Sequence, residues 1–450
     1  MACHCNDFSN AQAGRGLRGT EDGMPVPAGT GLSRRSFLAR SSGLALSVFG
    51  GGLLSQVALE EGIAAGRAAP AAPVLISIFL SGGIDSLSVL APVADARYRS
   101  LRPNLAIGSS GVANDVFTED SRLEWHPSAR PLRDLHRAGK VSVMPAIGYP
   151  VSNQSHFTSR HYWEVGEVNP FGRVGWLGRY LDRHGVADNP LQGLSLDYTL
   201  APALATSRVP VAAVSAPEYF ALAARDVWDT SINTRMVEGF AAQGAIVTSD
   251  PELLRARQAT TQTVGLRSQL TPLQNTDAPW QAAVTYPSED GFARRLAVLA
   301  EMLDMGLPMK VVALDANGGY DTHDNQEGSL PADLALFSQS LAAFQADLET
   351  RGLADRVLIN VWSEFGRRPK ENGLGTDHGA AGLSMVIGTR AKGTMVGEFP
   401  GLASLDGQDN LPHTSDFRAV YCSLLEQWLG VDAAGIIPKA SSFARPLLVR

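Results

Sequence analysis

The sequence predicts an α/β protein: a three-layer α/β/α sandwich with a mainly parallel sheet. Three observations predict it. Residues 74–80, 141–147, 309–314, 356–362 and 383–387 are largely apolar, β-branched runs, the pattern of strands buried on both faces. Helical patterns separate them, at 132–137, 176–184, 251–270, 291–305, 332–351 and 416–429, as crossover connections between parallel strands require. Most of the runs end in glycines or ligand-type residues, which marks one rim of the sheet.

Taken in order, residues 74–80 (Val-Leu-Ile-Ser-Ile-Phe-Leu) end at Ser81-Gly82-Gly83, a sharp turn carrying Asp85. Residues 141–147 end at Gly148-Tyr149-Pro150, and a helix begins near Ser155 with Gln154 or Ser155 as its cap. Residues 309–314 end at Asp315, and residues 356–362 end at Ser363-Glu364. Residues 209–214 are a lesser strand candidate because Pro210 interrupts them. Residues 185–290 show the least regular pattern and read as an insertion or cap on the main domain.

The chain has 450 residues, 44% hydrophobic and 18% charged, ample for a large core. Its net charge of -7, with no basic block, argues against a nucleic-acid partner. Of three cysteines, Cys3 and Cys5 lie at the start and Cys422 near the end, in a helical pattern that makes it a small core residue.

Ser33-Arg34-Arg35-Ser36-Phe37-Leu38 resembles a twin-arginine export motif. A mildly apolar run from Gly43 to Leu59 and small residues from Ala64 to Ala72 follow it, the basic, apolar and small layout of a cleaved signal. The plainer reading is a chance arginine pair before a buried helix. The expected organisation is an N-terminal extension at 1–32, a signal at 33–72 and an α/β domain at 73–450, starting from Met1 or Met24. This predicts a periplasmic or secreted protein that meets the twin-arginine translocase during export. No later run is long enough for a permanent membrane span. Cys3-His4-Cys5 is too tight to close a tetrahedral metal site.

The candidate chemistry sits where the strands end. Asp85, Asp321, His323, Glu364, Asp377 and His378 are ligands suited to Zn²⁺, Mn²⁺ or Mg²⁺, one cation or two. Ser155, at a helix start, is placed to attack phosphorus, and Arg367 or Arg160 to clamp an anion. Structural alternatives stand beside these readings. Asp85 and Ser155 also suit helix caps, Glu364 a pair with Arg367 or Arg368, and Asp377-His378 a hydrogen-bonded turn. His156 serves equally as a structural neighbour or a ligand. His126, His136, His161 and His184 lie in or beside helical patterns and read as structural.

The motifs carry a resemblance. Phe-Leu-Ser-Gly-Gly-Ile-Asp at 79–85, Gln-Ser-His-Phe at 154–157, Gly-Trp-Leu-Gly-Arg at 175–179 and Gly-Tyr-Asp-Thr-His-Asp at 319–324 are four of them. Ser-Glu-Phe-Gly-Arg at 363–367, Gly-Thr-Asp-His-Gly at 375–379 and Ser-Asp-Phe-Arg-Ala-Val-Tyr at 415–421 complete the set. Together they resemble the exported bacterial family known as domain of unknown function 1501, itself similar to the alkaline-phosphatase-like superfamily. The resemblance implies an alkaline-phosphatase-like fold and a two-metal hydrolytic site. It assigns Asp85 to one metal, Asp321 and His323 to the other, Ser155 to the nucleophile and His378 to the late histidine. Where the superfamily has an adjacent Asp-His pair, this chain has Glu364-Phe365, unless Asp377-His378 is that pair displaced. The Cys-x-Pro-Ser-Arg signature of formylglycine sulfatases is absent.

The function expected from this is metal-dependent hydrolysis of a small-molecule phosphate or related ester. The alternative is a non-catalytic binding or assembly protein that meets a periplasmic protein partner and keeps a partial metal site. An oxidoreductase is disfavoured, because Gly82-Gly83 is not a dinucleotide-binding fingerprint.

Overall fold

The computed structural model describes residues 72–450 except 221–227, 276, 278 and 288–289, together with Pro25, Val26, Ala28 and the pair Leu46–Ser47. The arginine pair, Cys3-His4-Cys5 and, apart from Leu46–Ser47 and residue 72, the rest of the expected signal lie outside the described residues.

Among the described residues nine strands form one sheet: β1 (Leu46–Ser47), β2 (Val74–Phe79), β3 (Val141–Gly148), β4 (Gly193–Ser195), β5 (Val211–Ala213), β6 (Val311–Asp315), β7 (Val357–Trp362), β10 (Gly382–Ile387) and β11 (Ser415–Asp416). Between β7 and β10 the chain makes a separate antiparallel hairpin of β8 (Arg367–Glu371) and β9 (Thr376–His378). The spatial order is β1-β5-β4-β6-β2-β7-β10-β3-β11. β10 is antiparallel to both neighbours and β1 to β5, while every other pair is parallel. The mainly parallel α/β sheet predicted from the sequence is therefore present.

β2 lies at the centre, with Ile76 opposite Val312 on β6 and Ile359 on β7. All six of its residues are buried. The two-residue period of a strand sends Val74, Ile76 and Ile78 to one core and Leu75 and Phe79 to the other. Each such fully buried aliphatic side chain stabilises the fold by about 1.5–3 kcal/mol.

A four-residue helix, α1 (Ser86–Val89), follows β2. The first core is covered by α2 (Arg130–Arg137), α6 (Pro251–Leu270), α7 (Gly291–Asp304) and α8 (Gln326–Thr350). The second is covered by α3 (His156–Val165), α4 (Trp176–His184) and α9 (Phe417–Ser423). Aspartates start several of these helices: Asp250 accepts from Glu252 and Leu253 N–H at α6, and Asp416 from Arg418 N–H at α9. On the second face Trp163 stacks on Trp362, 5.6 Å between centroids, and on Phe417 at 4.6 Å. That stack fixes α3 against β7 and so sets where its first residue, His156, stands.

Residues 185–290 are not an insertion throughout. They supply β4 and β5, which extend the sheet beyond β6. At three residues each, these strands are too short to show a period. The part that stands apart is α5 (Thr230–Gly244), which packs against α6 and buries Gly244 alone. No helix among the described residues is long and apolar enough to cross a membrane.

Candidate metal centre

The turn after β2 sets the floor of the site. Gly82 and Gly83 have φ of +119° and +72°. A Cβ on Gly82 would lie 2.3 Å from the Asp321 nitrogen, and one on Gly83 2.3 Å from the Phe365 ring. Only glycine fits there, on both torsion and space. The turn's N–H groups converge on the Glu364 carboxylate, at 3.0 Å from Gly82 to Oε1 and 3.0 Å from Gly83 to Oε2. His156 Nδ1 is 2.7 Å from the same Oε1. Burial opposes ionisation of Glu364, but His156 and the Ser363 hydroxyl outweigh it and hold its pKa below the ordinary carboxylate value.

Above this floor three loops meet. His156 opens α3, Asp321 and His323 lie between β6 and α8, and Asp377 and His378 end β9. One ligand atom from each of His156, Asp321 and His378 lies within 4.8 Å of the other two. His156 Nε2 is 3.3 Å from Asp321 Oδ2, and His378 Nε2 is 3.2 Å from Asp321 Oδ1. His323 stands beside them at the solvent side. Its Nε2 is 2.9 Å from His378 Nε2 and 3.2 Å from Asp321 Oδ1, and its Nδ1 is 3.4 Å from Asp377 Oδ1.

The far side of each imidazole is already engaged. His378 Nδ1 is 2.8 Å from the Gln154 carbonyl oxygen, which only accepts, so Nδ1 carries the proton and Nε2 offers a lone pair. His156 likewise turns Nδ1 to the Glu364 carboxylate. This is how metal-binding histidines are oriented: one nitrogen held by a carboxylate or carbonyl, the other turned to the cation. Zinc bonds to N and O of about 2.0–2.2 Å in a tetrahedron place neighbouring ligand atoms roughly 3.3 Å apart. The spacing between these residues therefore fits a cation.

Charge is strongly polarised here. Burial opposes ionisation of Asp321, yet His156, His323, His378 and Arg367 together hold its carboxyl far below the usual range. Burial also works against a proton on His156, but hydrogen bonds to Asp321 and Glu364 win and raise its pKa to about 9. At His378 burial wins and the pKa falls.

The structure thus brings together Asp321, His378 and His323 of the residues expected from sequence, and adds His156. The other expected ligands and the clamp stand elsewhere, each for a physical reason. Glu364 lies behind His156, with its oxygens taken up by the glycine turn, and orients the imidazole instead of facing the cluster. Asp85 is buried against Arg102, whose Nη2 is 2.9 Å from Oδ1. Ser88 and Gln326 each donate to its Oδ2 at 2.6 Å. A guanidinium thus sits where a second cation was expected, so the two-metal expectation is not met at Asp85. Arg367 is no anion clamp, because its three nitrogens donate to the carbonyls of Gly83 and Thr376 at 2.8 Å, to the Gly82 carbonyl and to Asp321 Oδ1. Arg160 is paired with Glu164 at 2.7 Å and stacked over Phe79.

Asp377 is exposed behind His323. Ser155 takes the N-cap position of α3, yet its side chain makes no capping hydrogen bond. The Phe365 ring packs on His156 at 4.9 Å and on His378 at 4.7 Å, and walls one side. Sequence reasoning left His156 open between ligand and neighbour; its place directly after a helix cap was the available signal. Gln326 was missed. Its amide links Asp85 to Thr322 at 2.9 Å and Thr376 at 2.7 Å, bracing the two loops that carry Asp321 and Asp377.

Several solved structures are similar to this one at low identity. A protein in the alkaline phosphatase superfamily from Vibrio parahaemolyticus shares 8% identity over 87% of this chain and 79% of that one, with a TM-score of 0.34. The phosphonate monoester hydrolase of Silicibacter pomeroyi shares 11% over 83% and 75%, with a TM-score of 0.31. The C-terminal periplasmic domain of EcEptC from Escherichia coli, in complex with zinc, shares 9% over 79% and 82%, with a TM-score of 0.35. No curated protein matches the chain in sequence. Residues 149–427 match the family described as protein of unknown function DUF1501. That match covers more than half of the chain and includes every residue of the metal-centre cluster, so the chain belongs to the DUF1501 family.

Proposed function

We propose that this protein is a metal-dependent hydrolase of phosphate or related esters, with Ser155 as its nucleophile. The observation that carries the reading is the convergence of His156, Asp321 and His378 at the rim of the sheet, next to a serine whose hydroxyl is not spent on capping its helix. His156, Asp321 and His378 would hold the cation, with His323 as a fourth ligand on the open side. When bound, it supplies Lewis acidity toward an ester oxygen.

The chain's own residues prepare that site. Glu364 and the Gln154 carbonyl fix the two imidazoles, so their Nε2 atoms need no reorientation. Arg367 pins the Asp321 carboxylate. Ser155 Oγ gives up its proton to water and attacks phosphorus, a P–O bond forms, and the bond to the leaving ester oxygen breaks, that oxygen taking a proton from water. Water then cleaves the serine ester and restores the hydroxyl. The amino end of α3 adds partial positive charge beside the anion.

The test is to purify the chain, measure bound metal and assay aryl phosphate mono- and diesters. His156→Ala and Asp321→Asn should each lose the metal and cut kcat/KM by at least 10²-fold, while Ser155→Ala keeps the metal and loses turnover. A protein that binds no cation, or turnover indifferent to Ser155→Ala, would remove this reading.

A second reading is favoured by Arg102 and Phe365, which stand where a second cation and its ligand were expected. On that reading the fold is a non-catalytic binding or assembly protein, and the cation only ties the loops together. Metal removal would then lower the melting temperature while no ester is turned over. Export belongs to the proposal on sequence grounds alone. Replacing Arg34 and Arg35 by lysine should keep the precursor in the cytoplasm, as cell fractionation would show.

A further inference from the structure

A second cluster of charge lies at the other end of the sheet. Arg356 immediately precedes β7, and Arg390 follows β10, which runs the opposite way. With Arg450, Asp355, Gln427 and Trp428 among its lining residues, this end holds a cavity of about 340 Å³. The six residues of β2 separate it from the metal centre by roughly 20 Å.

Three guanidiniums thus line one cavity whose one acidic side chain is the exposed Asp355. Arg356 Nε is buried with no hydrogen-bond partner among the described residues. Burial accordingly depresses the Arg356 pKa. A half-buried guanidinium whose Nε is unpaired is costly to hold charged, and it costs more beside like charges. The other polar groups are already committed. Gln427 donates to the Pro446 carbonyl at 2.8 Å and accepts from Leu448 N–H at 2.8 Å. Trp428 Nε1 donates to the Val74 carbonyl at 3.1 Å, which leaves its indole as an apolar wall. Arg450 Nη2 donates to the Thr389 carbonyl at 2.8 Å, which holds that guanidinium at the cavity.

We propose that this cavity is a binding site for a tetrahedral oxyanion, phosphate or sulfate, free or as the terminal group of a small ester. One arginine fork satisfies both oxygens of a carboxylate. Three arginines around one cavity call for an anion with three or four oxygens. The site is separate from the metal centre and does not rest on the hydrolase reading.

The experiment is isothermal titration of the purified chain with inorganic phosphate, sulfate and glycerol phosphate, at constant ionic strength set with chloride. Arg356→Gln removes the half-buried guanidinium, and Arg390→Gln is an exposed replacement that leaves the core untouched. The expected result is saturable binding that weakens at least tenfold in both variants and is unchanged in Arg173→Gln, an exposed arginine elsewhere. Any phosphate held at the metal centre would remain after both substitutions, as a separate event sensitive to metal removal. Phosphate and sulfate affinities that do not change in Arg356→Gln and Arg390→Gln, or no saturable binding in the parent chain, would overturn the proposal. Glycerol phosphate binding like the free anion assigns the site to the terminal group; its exclusion assigns it to the free ion.

Discussion

Asp85 and Arg102 are both fully buried, and their charges answer each other. Arg102 also donates to the Pro369 carbonyl at 2.8 Å and the Arg368 carbonyl at 3.0 Å, so the pair ties the turn before α1 to β8. Burial opposes the charge on both members, yet the pair holds Asp85 below its ordinary pKa and Arg102 above its own. Removing one partner strands the other. Arg102→Met should therefore destabilise the fold by about 3–5 kcal/mol, and Asp85→Asn/Arg102→Met should recover much of that loss. Urea unfolding measures both. Metal content separates this role from a ligand's: in Asp85→Asn the bound cation should persist while stability falls. Loss of the metal with unchanged stability would return Asp85 to the ligand set.

At the scale of elements, the site is a meeting of one turn, one helix start and one hairpin, and each depends on close backbone approach. Gly82→Ala forces a Cβ onto the Asp321 nitrogen in a backbone conformation that alanine avoids. The expected outcome is a protein that folds but binds its cation 10–100-fold more weakly, the usual range when support behind a ligand is lost. Metal titration reads this directly, and an unchanged affinity would mean that the turn does not set the Asp321 position. The same elements show what was legible in the sequence. The long strands were, because residues buried on both faces leave continuous apolar runs such as 74–80. β4 and β5 were not, because three residues carry no period. The rim where the site residues gather followed from the parallel order of strands. Individual roles did not, because an aspartate reads the same whether it meets a cation or a guanidinium. Arg102, which decides the matter for Asp85, comes from a stretch without a motif. Arg367 looked like a clamp because nothing local shows that backbone carbonyls from two other segments will take up its donors.

For the whole molecule, the proposed metal centre would couple folding to pH, and the sign can be worked out from His156. In the metal-free protein burial would lower the pKa of this imidazole, but Asp321 and Glu364 raise it from 6.5 to about 9. A folded-state pKa above the unfolded value stabilises the fold fully below pH 6.5, and the contribution is lost as pH rises through 9. The difference amounts to about 3 kcal/mol. A cation on Nε2 excludes that proton, so the loaded protein escapes the loss. Loading must also release the proton, so affinity should climb about tenfold per pH unit up to 9. At one hundred times the dissociation constant a bound cation stabilises by about 2.7 kcal/mol, and that margin grows as the proton's competition fades. The melting temperature of EDTA-treated protein should therefore fall from pH 6.5 to 9 relative to metal-saturated protein, with the gap widening throughout. In His156→Ala both the gap and its pH dependence should collapse. A gap of constant size across this range would place the cation away from His156, and with it would go the ligand set on which the centre is built.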